Sequence, residues 1–142
     1  MNVLTNIGVF MKILFIIILS VNIYAQNCAA GEEVELWGEC YNIQETTSII
    51  KQGSYITGEI PPEIGNLINL THFELHKTSI TGEIPPEIGD LTNLTYFSIH
   101  GEVEPTFYGD LPTELFNLVN LETLYIQRTD ITGAIPSEIE NL

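Results

Sequence analysis

The chain has 142 residues, with 19 acidic side chains against 4 basic ones and a net charge of −15. A field of that sign excludes nucleic acid and anionic lipid surfaces as partners and leaves cations, basic proteins and neutral glycans. Two cysteines, with no Cys-x-x-Cys, argue against a structural zinc site or a redox motif.

Taken in chain order, the first element is a leader. Lys12 precedes an unbroken apolar run at 13–19, and Ile23-Tyr24-Ala25 ends on a small residue, the layout of a secretory signal peptide cleaved after Ala25. Met11-Lys12 makes a tidier opening for it than Met1. Ser20 and Asn22 interrupt the run too early for a spanning helix, which needs about 20 mostly apolar residues. A lipoprotein leader fails as well, since Gln26-Asn27 before Cys28 are not small. The protein is therefore expected to be secreted or displayed at the cell surface, with no membrane insertion by this segment. From residue 26 onward only Lys51, Lys77 and Arg128 are basic. Cys28 and Cys40 follow directly, and an even cysteine count at the start of an exported chain reads as a disulfide.

From about residue 48 the chain repeats itself. Ile-Thr-Gly-Glu-Ile-Pro-Pro-Glu-Ile-Gly begins at Ile56 and again at Ile80, and the frame returns with altered letters at Phe107 and Ile131. The glycines Gly58, Gly82, Gly109 and Gly133 step by 24, 27 and 24 residues, as do Pro61, Pro85, Pro112 and Pro136. Self-similarity at such a period means a solenoid whose units bury their apolar sides against one another. Within a unit, Leu67, Leu70, Phe73 and Leu75 set a spacing that recurs at Leu91, Leu94, Phe97 and Ile99, and again at Leu118, Leu121, Leu124 and Ile126. The last two positions of each set alternate apolar with polar, which predicts a short strand with one buried face. The Gly-x-Ile-Pro step breaks that strand, and the turn-rich letters after it predict a 3₁₀ or irregular turn.

This frame resembles the plant-type leucine-rich repeat. The resemblance covers 48–142, about four repeats, and the segment 26–47 with Leu36-Trp37-Gly38-Glu39-Cys40 is similar to the cysteine-containing N-terminal cap of secreted members. It implies an α/β-type solenoid, a horseshoe with a parallel inner sheet and short 3₁₀ or irregular outer segments. Two features depart from the pattern. The family's asparagine, which bonds backbone across repeats, is replaced by Ser54, Thr78, Pro105 and Thr129, and Lys51 stands where an inward leucine belongs. Three additional residues fall within 101–108, where a bulged loop is expected, and the chain ends at Leu142 with no cap, as a fragment of a longer solenoid would, leaving an apolar end suited to end-to-end contact.

The resemblance also implies a binding surface, the outward residues of the inner strands. Carried over by position these are Ser48, Ile50, Gln52 and Gly53; His72, Glu74, His76 and Lys77; Tyr96, Ser98, His100 and Gly101; Thr123, Tyr125, Gln127 and Arg128. Across strands they form the ladders His72–Tyr96–Thr123, Glu74–Ser98–Tyr125 and Gln52–His76–His100–Gln127, in which Tyr96 and Tyr125 offer rigid contact area. Of these, His72, Glu74, His76, Tyr96, Ser98, His100, Tyr125, Gln127 and Arg128 are the candidates for ligand contact. His72, Glu74, His76 and His100 also place imidazole and carboxylate at a spacing that suits Zn²⁺ or Cu²⁺, although an ordinary polar face is the plainer account and no cofactor is expected. On the outer side, Glu63, Glu87, Glu114 and Glu138 stack, as do Glu59, Glu83 and Asp110; calcium could bridge them, and solvated carboxylates are the simpler reading. Asn69-Leu70-Thr71 and Asn93-Leu94-Thr95 match the N-glycosylation acceptor pattern. No nucleophile elbow, phosphate loop or zinc-protease helix is present in the sequence, so the segment is not expected to be an enzyme. Three functions remain open: a secreted module binding a protein or glycan on the concave face, the ectodomain portion of a receptor-like kinase, and a metal-dependent module built on the histidines.

Overall fold

The computed structural model describes residues 28–53, 55–101 and 107–141. The leader at 1–25, the bulged loop at 101–108 for the most part, and the replacements Ser54 and Pro105 lie outside the described residues, as does Leu142.

Chain order begins with an antiparallel hairpin, β1 (Glu33–Leu36) and β2 (Glu39–Asn42), tied to the segment before it by the Cys28–Cys40 disulfide. The inner sheet follows: β3 (Ser48–Gln52), β5 (His72–Ile80), β6 (Tyr96–Gly101) and β8 (Thr123–Gln127) run parallel in that spatial order. Each unit contributes one strand because its Leu/Phe/Ile positions alternate with polar ones, so one face is buried and the other faces out. A second tier of short pairings lies beyond the strand ends: β4 (Thr57–Gly58) on Ser79–Ile80, and β7 (Tyr108–Asp110) on β9 (Asp130–Thr132).

The outer side consists of 3₁₀ turns, Pro62–Asn66, Pro86–Asp90, Thr113–Asn117 and Ser137–Asn141. Pro61, Pro85 and Pro112 stand before the first three in extended conformation, and their carbonyls accept the first 3₁₀ bonds from Ile64, Ile88 and Leu115 N–H at 3.0, 3.1 and 3.1 Å. A proline there forfeits nothing, because the first turn has no internal partner for its N–H. The turns stack closely. A Cβ on Gly65 would lie 2.9 Å from the Glu87 carbonyl oxygen, and one on Gly89 would lie 2.7 Å from that of Glu114.

Between sheet and turns runs a single apolar core. Leu67, Leu70, Phe73 and Leu75 are fully buried, as are Leu91, Leu94, Phe97 and Ile99, and Phe73 stacks on Phe97 with ring centroids 5.5 Å apart. Leu124 and Ile126, on the outermost described inner strand, are half-buried.

The asparagines work differently from expectation. The family position holds a buried Thr78 in the second unit, yet an amide ladder exists elsewhere. Asn69, Asn93 and Asn120 donate Nδ2–H to the carbonyls of Gln44, Ile68 and Thr92 at 2.9, 2.8 and 2.8 Å, each reaching into the preceding unit. Thr71 and Thr95 add hydroxyl bonds to the carbonyls of Thr47 and Thr71 at 3.0 Å. The two triplets that read as glycosylation acceptors therefore rivet one unit to the next, each bond contributing about 1 kcal/mol.

The outward face of the strands is also interrupted earlier than alternation predicts, although β5 itself runs on to Ile80. Gly53, Lys77 and Arg128 adopt left-handed backbone with φ of 110°, 52° and 54°, and the β5–β6 register shifts between His76 and Thr78. A left-handed residue breaks the alternation of faces, so Lys77 forms a bulge inside β5 and Arg128 a corner just after β8, and neither continues the outward face. Gly101, placed outward by its sequence position, instead pairs with Thr78 and is buried.

Candidate functional site

Three rungs cross the concave sheet in register. Ser48, His72, Tyr96 and Thr123 form the first, Ile50, Glu74, Ser98 and Tyr125 the second, and Gln52, His76, His100 and Gln127 the third. Parallel strands about 4.8 Å apart make the rung neighbours touch. In the first rung the His72 and Tyr96 rings stack, centroids 4.2 Å apart and planes within 2°. His72 Nε2 also lies 3.4 Å from Glu74 Oε2, which links the first rung to the second. The second rung carries exposed Ile50 and Tyr125 at either side and a floor at Ser98, which is only 5% exposed between Glu74 and Tyr125. Ser98 can thus offer a hydroxyl at the base of the face and little contact area. Tyr125 donates its hydroxyl hydrogen to Gln127 Oε1 at 2.8 Å. In the third rung His76 and His100 face each other with Nδ1 atoms 3.3 Å apart.

The four residues proposed together for a metal are thus divided. His72 pairs with Glu74 and stacks on Tyr96, while His76 and His100 pair in the third rung. Among the described residues, three metal-capable donors converge only at Cys28, Glu33 and Cys40, where both sulfurs are held in the disulfide.

A second feature, at the junction of cap and first repeat, was not legible as a unit. Inward-pointing Lys51 donates to Glu39 Oε2 at 2.6 Å and lies 5.5 Å over the Tyr41 ring, so the cap supplies the partner that a lysine in a leucine position demands. Hydrogen bonding from Lys51 holds the Glu39 carboxyl below its ordinary range. Burial alone would lower the Lys51 ammonium, and its bonds to Glu39 and Tyr41 more than reverse that, leaving it raised. Burial pushes the Tyr41 phenol up. Trp37 closes this junction, donating Nε1–H to the Glu59 carbonyl at 2.8 Å, beside a cleft of about 490 Å³ that Glu39, Lys51 and the exposed Tyr55 also line. The available signal was Lys51 itself, a basic residue in an apolar frame only a few residues after an acidic cap.

A sequence model of the leucine-rich repeat matches residues 69–91 and 120–142. Together with the stacked parallel strands, the 3₁₀ turns and the disulfide-tied hairpin, that match identifies the units as leucine-rich repeats. This leucine-rich-repeat protein is similar to a plant peptide hormone receptor, RGFR1, in complex with RGF2, at 33% identity over 69% of this chain and 15% of that one, with a TM-score of 0.62. A TDR receptor is 40% identical over 60% of this chain and 14% of its own, with a TM-score of 0.55. The ectodomain of the plant membrane receptor kinase GASSHO1/SCHENGEN3 from Arabidopsis thaliana, in complex with CASPARIAN STRIP INTEGRITY FACTOR 2, is 28% identical over 67% of this chain and 14% of its own, with a TM-score of 0.50. The chain thus spans about 15% of the length of the receptors it matches. No curated protein matches it significantly. Among the described residues no helix is long and apolar enough to cross a membrane.

Proposed function

We propose that this leucine-rich-repeat protein is an extracellular binding module that holds a peptide or protein ligand across the concave rungs and performs no catalysis itself. The observation that carries this reading is the unbroken register of outward side chains over four strands, with Tyr96 and Tyr125 among them. An extended chain laid along the rungs meets a new strand at each step, and aromatic rings with few rotatable bonds give contact area at low entropy cost. The negative field favours a ligand with basic side chains. The peptide-bound receptors that this chain resembles support a protein rather than a glycan ligand. They also support a second reading, in which the segment is the ectodomain portion of a receptor-like kinase and phosphoryl transfer takes place elsewhere in the protein.

A displayed library of random linear peptides tests the proposal, panned in parallel on the wild type and on a Tyr96→Ala/Tyr125→Ala variant, with a glycan array alongside. Enrichment of basic peptides on the wild type, and at least a tenfold weaker response of the variant, is the expected result. Peptides that bind both chains equally place the binding surface off the concave face, and glycan binding without peptide binding replaces the ligand class.

A further inference from the structure

We infer that His76 and His100 form a two-imidazole Zn²⁺ site on the third rung of the concave sheet. Their Nδ1 atoms lie 3.3 Å apart, with ring centroids 4.7 Å apart and the planes tilted by 56°. Two bare nitrogen lone pairs repel at that distance, so the space between them holds either a proton shared as N–H···N or a cation. The separation fits the shared proton and fits a cation equally well. With Zn–N bonds of about 2.0–2.1 Å, the edge of a coordination tetrahedron is about 3.3–3.4 Å. A square-planar ion would need the same atoms about 2.9 Å apart, so a tetrahedral ion is the one that fits without moving them.

The surroundings select this pair from the four candidates. His72 is engaged with the Glu74 carboxylate and the face of Tyr96, whereas His76 and His100 turn their Nδ1 atoms toward each other. The rung mates Gln52 and Gln127 are uncharged, so no ammonium or guanidinium in the rung competes with a metal. Both rings are half-buried, which limits their rotational freedom and preorganises the nitrogens. The net charge of −15 raises the local concentration of divalent cations at the surface. With two protein donors, the remaining coordination positions fall to water and stay exchangeable. The site stands independently of any peptide ligand.

Calorimetric titration of the 142-residue chain with ZnCl₂ tests this, using His76→Gln, His100→Gln and His72→Gln as comparisons. Glutamine already occupies both flanking positions of the same rung, so the first two changes suit the fold, and circular dichroism melts verify it. The expected result is one Zn²⁺ per chain, an affinity lower by more than ~10-fold in His76→Gln and in His100→Gln, the loss that removing even a ligand's supporting partner causes, and no change in His72→Gln. In the wild type, Zn²⁺ should also shift the imidazole ¹⁵N resonances of His76 and His100 together. Equal binding by all four chains assigns the ion to the acidic ladders and overturns the site. An equal loss in His72→Gln, or no binding by the wild type, overturns it as well.

Discussion

Lys51 shows what a single residue can and cannot disclose. In the repeat frame it is a misfit, a charge in an inward leucine position, and the cap accommodates it: Glu39 accepts its hydrogen bond at 2.6 Å and Tyr41 lies beneath it. The two shifts define a pH window. The Glu39 carboxyl, lowered in the fold, contributes stability above its ordinary value of 4.5 that is lost as pH falls through the depressed folded value. The Lys51 ammonium, raised in the fold, contributes below 10.5 and is lost only as pH rises beyond that. Because the Glu39 side chain is 60% exposed, solvent screening limits the pair to at most about 1 kcal/mol. Urea denaturation of wild type and Glu39→Gln should therefore differ by up to that amount at pH 7, and the difference should shrink as pH drops below 4.5. A constant difference across that range would mean that the carboxylate charge contributes nothing. The lysine was visible in the sequence, but its partner was not, because nothing in a repeat pattern says which cap residue folds over it.

At the level of elements, strands and turns follow from the letters because each is local. Alternation fixes the buried face, and proline with glycine fixes the turn. The end of each strand was less legible. Lys77 and Arg128 take the left-handed corner that Gly53 takes in the first unit, and a basic side chain gives no hint of positive φ. The register itself needed only the recurring apolar frame, the longer step before Thr123 included, so the ladders of the candidate site could be written down from the sequence alone. Their internal pairing could not, since stacking of His72 on Tyr96 depends on side-chain rotation within the rung. A close approach of one backbone to another lies between turns. Gly89→Ala places a methyl 2.7 Å from the Glu114 carbonyl oxygen, a backbone atom with no freedom to withdraw. That overpacking should cost about 1–3 kcal/mol in a urea titration, whereas an unchanged midpoint would show that the turns can slide apart.

For the whole molecule, charge and architecture meet on the outer side. Glu63, Glu114 and Glu138 are exposed at equivalent places on successive turns, with Glu87 half-buried among them, so like charges recur at the repeat spacing. Raising NaCl from about 10 mM to about 150 mM shortens the screening length from about 30 Å to about 8 Å. The melting temperature should rise, by about 4–8 °C for each kcal/mol of repulsion removed. CaCl₂ at equal ionic strength is the informative control, since a larger rise than NaCl produces would reveal bridging of the carboxylates.

The asparagine rivets carry a consequence for how such a chain can change length. Asn69 and Asn93 each reach back 25 positions, while Asn120 reaches back 28 and still finds its carbonyl at 2.8 Å. Three extra residues have entered between two units without loosening the joint that holds them. A unit can thus be longer by three residues and still be fastened to its neighbour through the same amide-to-carbonyl bond.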